Sequence, residues 1–383
     1  MPNPLYERMV GELDERRSRG LLRAIPDRCA APGSTVIDLS TNSYLALHQC
    51  PEVAAVAREL TGGTLHGNLA SRLIAETSTL AGTLETELAA WKRTETALLF
   101  NSGYAANIGV LQALATRDSE LFCDRLNHAS IIDGIRLSGA RLNRYRHCDM
   151  DDLRARCRAS NAAEKIIVTD TVFSMDGDTA PLADLCTIGK EHSCFIIVDE
   201  AHATGILGPN GSGLVEELGV ADAIDVRIGT LSKAIAGLGG FFAGKKILRD
   251  YFVNTARSLI YSTGLPHAAV AFDLAAIRHI RSHPGLGAAL LQKAQSFRER
   301  LRELGFDTHA STTQIVPCLV DDETTALGLQ TFLRERGIIA PAIRPPTVPP
   351  GSARIRFSVH LGFTKNDEAT VVAALSDWKK RHA

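Results

Sequence analysis

Two spacings that announce metal or redox chemistry are missing from this chain of 383 residues: it has no C-x-x-C pair and no H-E-x-x-H. The eight cysteines, at 29, 50, 123, 148, 157, 186, 194 and 318, follow no regular spacing. They read as free thiols, mostly small buried residues, and no metal site is expected. No early apolar run looks like a signal peptide and none later is long enough to span a bilayer, so the expected compartment is the cytoplasm. A basic excess is also lacking. The 42 Lys and Arg against 43 Asp and Glu leave a net charge of -1, which argues against nucleic acid as a partner. What is present is ordinary for a globular protein: 45% hydrophobic and 22% charged residues. At roughly 150 residues per domain, the length predicts two or three domains with ample core.

The chain is organised around Ile196-Ile197-Val198-Asp199-Glu200-Ala201-His202, read with Gly229-Thr230-Leu231-Ser232-Lys233. Both segments begin as short apolar runs and end in polar residues, which suits strands buried on both faces of a parallel sheet or, by periodicity alone, buried helix. In open α/β sheets ligands sit at the carboxyl ends of strands, where Asp199, His202 and Lys233 would fall. A lysine and an aspartate meeting there could hold pyridoxal phosphate, the lysine as a Schiff base and the aspartate against the pyridinium nitrogen. The plainer alternative is that Asp199 and Glu200 cap a following helix and that Lys233 is a surface charge.

In chain order, Leu5 to Leu22 reads as a helix with a thin apolar stripe, and Pro26, Pro32 and Gly33 break the chain. Val36 to Leu39 is a short strand, Pro51 to about Gly62 and Leu80 to Trp91 are helices, and Ala97 to Phe100 is a strand. Asn101 to Asn107 then forms a polar, glycine-containing turn that opens into the apolar run Ile108 to Ala115. A helix starting there would aim free N–H groups at an anion such as phosphate, although an ordinary capped helix would look the same. Leu121 to Asp124 and Ile166 to Val168 are further strands, each followed by a polar turn. His128, at one strand's end, could offer its ring face to a cofactor or simply be a hydrogen-bonded loop histidine. The repeated strand, turn and helix predict an α/β fold with a mostly parallel sheet. Farther on, Leu290, Ala294, Phe297, Leu301 and Leu304 mark a helix stopped by Gly305, and Gln314 to Val320 and Ala353 to Val359 have strand character. Gly237-Leu238-Gly239-Gly240 does not open a helix after a strand, so it is a poor dinucleotide site.

Five segments in this order resemble the α-oxoamine synthases, pyridoxal-phosphate enzymes of fold type I. They are Phe100 to Asn107, Asp124 to Ser130, Val172 to Asp178, Val198 to Gly205 and Gly229 to Lys233. The resemblance implies a mostly parallel central sheet flanked by helices with a smaller C-terminal α+β domain. The expected division is residues 1–45, an N-terminal segment; 46–270, the cofactor-binding domain; and 271–383, the C-terminal domain.

It also implies that Lys233 carries the cofactor, Asp199 pairs with its ring nitrogen and His128 stacks on the ring. Gly103 and Tyr104 fall where the family holds the cofactor, and Ser174, His202 and Thr230 at positions that touch its ring oxygen or phosphate. Ser262 and Thr263 match residues that reach the phosphate of a neighbouring subunit, which would make the enzyme a homodimer with its active site at the interface. Arg356 matches the arginine that grips the amino-acid carboxylate, a task suited to a bidentate guanidinium, though on a strand it could also be an unremarkable surface residue. Thr347, within the proline-rich Ala342 to Pro349, and Arg23 match substrate-facing positions. That loop could equally be a rigid connector.

The implied reaction is a decarboxylating condensation of an amino acid with an acyl thioester. The closest branch joins L-alanine to a pimeloyl thioester, of coenzyme A or a carrier protein, in biotin synthesis. A sister synthase using glycine or serine, or one making a secondary metabolite with a different acyl chain, and a catalytically silent structural subunit are the alternatives. Departures from the family pattern lie at Asn68 to Arg72, Ala75-Glu76, Ala81, Phe363, and Cys148, which interrupts a common His-Asn-Asp run. They bear on the acyl substrate, not on the cofactor.

Overall fold

The computed structural model describes residues 3–23, 25, 36–63, 66–75, 79–320 and 322–382. The expected chain breaks at Pro26, Pro32 and Gly33, and Glu76, lie outside these residues. The strands in chain order are β1 (Ile37–Asp38), β2 (Thr96–Phe100), β3 (Ser119–Asp124), β4 (Arg141–Tyr145), β5 (Glu164–Asp170), β6 (Phe195–Asp199), β7 (Val226–Thr230), β8 (Gly240–Gly244), β9 (Ile315–Leu319), β10 (Ile338–Ile339), β11 (Ala342–Ile343) and β12 (Arg354–Ser358). A seven-stranded sheet runs β2-β8-β7-β6-β5-β3-β4. Its pairs are parallel except those of β8, which is antiparallel to both neighbours.

Ile166-Ile167-Val168 and Ile196-Ile197-Val198 are buried throughout, as expected of parallel strands covered on both faces. Side-chain alternation splits each strand between two cores. Leu98, Phe100, Ile166, Val168, Ile197 and Ile228 pack with helices Gly103–Leu114 and Ala129–Ser138. Ala97, Leu99, Ile167, Ile196 and Val198 face helices Leu80–Trp91, Leu182–Glu191 and His267–Ser282. The register sets Asp170 beside Asp199, and the parallel strands end together at Asp124, Asp170, Asp199 and Thr230.

A second, antiparallel sheet runs β11-β12-β9, and β1 pairs with β10. The N-terminal segment is tied to this sheet where Ser358 N donates to Leu39 O at 2.8 Å and Leu361 N to Tyr44 O at 2.9 Å. The loop after β5 reaches it too. Gly177 O accepts from Thr312 N and Thr313 N at 3.0 and 3.2 Å. At Gly177 φ is +70°, and a Cβ would stand 2.0 Å from Ile315 O, so only glycine fits.

Two local expectations change. The helix after β2 begins at Gly103 rather than near Ile108, because the Ser102 hydroxyl accepts from Ala105 N at 3.0 Å and caps it there. No helix follows Asp199-Glu200 directly; residues 201–206 form turns and Glu200 points inward. The N-terminal helix Pro4–Ser18 buries none of its residues. No helix among the described residues is long and apolar enough to cross a membrane.

Candidate active site

Lys233 sits in the loop that joins β7 to β8, folded back by Gly237 N donating to Leu231 O at 2.8 Å and Leu231 N to Gly239 O at 2.9 Å. Its amine contacts His202 Nε2 at 2.9 Å, and His202 Nδ1 contacts the Tyr44 hydroxyl at 2.8 Å. Tyr44 donates in turn to Asn42 Oδ1 at 3.0 Å. One proton arrangement satisfies this chain: Lys233 donates to a neutral His202, which donates from Nδ1 to Tyr44. Burial, reinforced by the positive charges of Lys233 and Arg356, holds His202 well below the usual imidazole value. Burial also draws the Lys233 amine down to about 8, against the opposing pull of Asp199 and Asp170.

Asp199, at the end of β6, is 5% exposed. Asn107 Nδ2 donates to its Oδ2 at 2.7 Å and Ala201 N to its Oδ1 at 2.8 Å. Beside it, burial and the Asp199 charge push the Asp170 carboxyl well above the usual range. Asp170 Oδ2 accepts from His128 N at 2.7 Å. The His128 ring caps helix Ala129–Ser138: Nδ1 accepts from Ser130 N at 3.3 Å and lies 2.7 Å from Ser130 Oγ. That arrangement leaves the ring proton on Nε2. Burial lowers the His128 pKa, with Asp199 opposing.

The N-terminus of helix Gly103–Leu114 lies against the end of β7. A Cβ at Gly103 would stand 3.2 Å from Thr230 Cβ. The first-turn N–H groups there have no partner within the helix, which makes this end a natural anion cradle. Thr230 Oγ1 bonds Ser232 Oγ at 2.8 Å and Gly239 O at 2.9 Å. Tyr104 is turned aside, donating to Asp133 Oδ2 at 2.6 Å. Ser262 and Thr263 lie alongside the same turn, where Asn101 Nδ2 donates to Thr263 O at 2.6 Å and Ser71 bridges Thr263.

Arg356 on β12 is buried, not solvent-facing. It donates to Ser174 O at 2.5 Å, Asn42 Oδ1 at 3.2 Å, Ser358 Oγ at 2.6 Å and the Tyr44 hydroxyl at 3.2 Å. One Nη2 hydrogen is left over from these bonds, so the bidentate fork expected from the sequence is largely committed within the protein. Arg23 Nη2 donates to Thr347 Oγ1 at 3.1 Å, which brings together two residues separately expected to face substrate. Asn107, Tyr44, Asn42 and Asp170 were not singled out from the sequence as site residues. Asn107 stands four residues past the Gly103 turn, one helical turn into the same face, and that spacing was the available signal.

Another buried ionic node backs the site. Lys92 Nζ, fully buried, donates to Glu200 Oε2 at 2.9 Å, Thr204 Oγ1 at 2.8 Å and Ser212 O at 2.7 Å. It fixes the turns that follow Asp199. Near β3, His147 spans two carboxylates, Asp124 Oδ1 at 3.0 Å and Asp178 Oδ2 at 2.9 Å. Burial opposes its charge, but those two bonds outweigh burial and raise its pKa to about 12.

The family model for aminotransferase class I and II matches residues 34–375. An 8-amino-7-oxononanoate synthase of Anaeromyxobacter sp. (strain K) is 43% identical over 372 residues, 95% of this chain and 94% of that protein. A solved serine palmitoyltransferase variant from S. paucimobilis, with bound PLP-myriocin aldimine, matches with a TM-score of 0.92 and 27% identity, covering 99% of this chain and 98% of its own. The solved 8-amino-7-oxononanoate synthase from Francisella tularensis matches with a TM-score of 0.78 and 26% identity, covering 91% and 99%. With a family model spanning most of its length, this chain belongs to the aminotransferase class I and II family.

Proposed function

We propose that this protein is a pyridoxal-phosphate-dependent C-acyltransferase that condenses L-alanine with a pimeloyl thioester, of coenzyme A or a carrier protein, to give 8-amino-7-oxononanoate, carbon dioxide and the free thiol of coenzyme A or of the carrier in biotin synthesis. The observation that carries the reading is the convergence of a half-buried lysine, an anchored aspartate and a helix N-terminus at the carboxyl end of the sheet. The residues fit the cofactor. Gly103 leaves the helix end open to a phosphate where a side chain would crowd Thr230, and Asp199 is held by Asn107 in a fixed orientation. The 43% identity to an 8-amino-7-oxononanoate synthase supports the substrates.

When bound, pyridoxal phosphate supplies an electron-withdrawing ring that stabilises negative charge on an attached amino acid's α-carbon. Lys233 would hold the group at its aldehyde carbon, and its Nζ is the base that would accept the α-proton. Asp199 would accept the hydrogen bond of the ring nitrogen and keep a proton there. His128 would cover the ring, and its Nε2 hydrogen would be available to the substrate carboxylate or the thioester carbonyl. The ring oxygen and phosphate would fall to Ser174, His202, Thr230 and Gly103, and to Tyr104 once its hydroxyl leaves Asp133. Arg356 offers its remaining Nη2 hydrogen to the amino-acid carboxylate, and exchange of the Tyr44 bond would free a second. Arg23 and Thr347 receive the acyl chain.

We read the protein as a homodimer in which Ser262 and Thr263 serve the phosphate of the partner's site. The division into 1–45, 46–270 and 271–383 is part of the same reading. The similarity to serine palmitoyltransferase, with a TM-score of 0.92, favours one second reading, a sister synthase using serine or glycine. Coenzyme A release from pimeloyl-CoA separates the two. L-Alanine should support release that disappears in Lys233→Ala, whereas release with serine or glycine alone would transfer the chain to the second reading.

A further inference from the structure

We propose that His147, Cys148 and Asp178 form a binding site for one thiophilic divalent ion, Zn2+ or Cd2+, outside the active site. The three donors already stand close together: His147 Nε2 is 2.9 Å from Asp178 Oδ2, and Cys148 Sγ is 3.7 Å from the first and 3.9 Å from the second. In a tetrahedral zinc site with ordinary bond lengths, such donors lie about 3.4–3.6 Å apart. Each separation is therefore within about 0.5 Å of what the ion requires. Asp124, His147 and Cys148 also offer donor atoms within 4.8 Å of one another.

The surroundings complete the coordination chemistry. Asp124 Oδ1 takes the other ring nitrogen of His147 at 3.0 Å, the carboxylate support that metal-binding histidines use to fix ring orientation. Asp124 Oδ2 accepts from Cys148 N at 2.9 Å, which holds the cysteine over the site. Asp178 is 8% exposed, and its Oδ1 is buried without a hydrogen-bond partner among the described residues. That oxygen is an unused ligand. His147 keeps 19% of its side chain exposed, so the site has an entry.

Binding would release the thiol proton and the proton that His147 shares with the carboxylates, both to solvent. Two unit charges leave as one ion of charge +2 enters, so the cluster's net charge is unchanged. The bound proton is the competitor, which favours an ion with strong thiolate affinity over Mg2+ or Ca2+. The ion would link the segment after β4 to the loop carrying Ser174, which Phe173 N closes on Asp178 O at 3.0 Å.

This inference is independent of the substrate assignment. The full chain, treated with chelator and loaded with zinc, should retain one ion per chain after gel filtration. Cadmium in its place should give a single 113Cd resonance shifted by sulfur ligation. Cys148→Asn suits the left-handed backbone there, φ +51°, and so keeps the fold testable. It should weaken zinc binding more than about 100-fold, and Asp124→Asn about 10–100-fold. Cys50→Ser should leave binding unchanged. Absence of stoichiometric uptake, uptake unaltered in Cys148→Asn, or uptake lost in Cys50→Ser would each overturn the proposal.

Discussion

Lys233 owes its chemistry to where its amine is placed. Desolvation lowers its pKa to about 8, so at that pH about half of the amine is free, whereas an exposed lysine would be almost wholly protonated. The rate at which cofactor-free protein captures pyridoxal phosphate should therefore rise with pH and reach its midpoint near 8. A midpoint above 10 would show an ordinary lysine. The sign for stability is the same. Between about 8 and the usual 10.5 the unfolded chain holds a proton that the folded chain has lost, so this group's contribution increases with pH across that window.

At this scale the sequence was legible where chemistry is local. Lys233, Asp199 and His128 each stand in a short motif at a strand end or in a turn. Their partners were not legible, because Asn107 is 92 positions from Asp199, Tyr44 is 158 from His202 and Asp170 is 42 from the His128 amide it holds. Only Asn107 carries a local signal, its place one helical turn past Gly103; no spacing announces the contacts of Tyr44 and Asp170.

Among the elements, the strand β6 and the helix Leu80–Trp91 show how a site is held from behind. Trp91 ends the helix, and Lys92, its C-terminal cap, enters the interior to meet Glu200, the residue after β6. Both side chains are buried, 0% and 1% exposed. Lys92→Met would leave Glu200 charged and unpaired, and should cost about 3–5 kcal/mol. Urea denaturation measures this directly; a loss below about 1 kcal/mol would mean that the pair behaves like an exposed one. The reading of Asp199 and Glu200 as helix caps failed here for a physical reason. Glu200 is turned inward to Lys92 and lies against Gly213, at φ +119°, where a Cβ would stand 2.3 Å from the carboxylate, so its side chain is not free to cap a helix. Strand positions were legible because Ile166 to Val168 and Ile196 to Val198 are unbroken β-branched runs. The early start of helix Gly103–Leu114 was not, since it opens on Gly103, a poor helix former, and the Ser102 cap defines it.

For the whole molecule, the ordering of strands matters more than their existence. The order β2-β8-β7-β6-β5-β3-β4 places Asp199 between Asp170 and the strand that leads to Lys233, and no residue pattern in the chain specifies that order. The C-terminal sheet contributes through two arginines of β12. Arg354 pairs with Asp176 and Arg356 bonds Ser174 O, so both grip the loop that follows β5. The alternation of strand, turn and helix gave the α/β class, and the resemblance supplied the roles. The network joining Arg356 to Lys233 through Tyr44 and His202 emerged only from the folded chain. The most direct measurement is borohydride reduction of the protein purified with pyridoxal phosphate, followed by peptide mass mapping. One phosphopyridoxyl group per chain, on the peptide containing Lys233, is the predicted result. No modification, or modification at another lysine, would contradict the account.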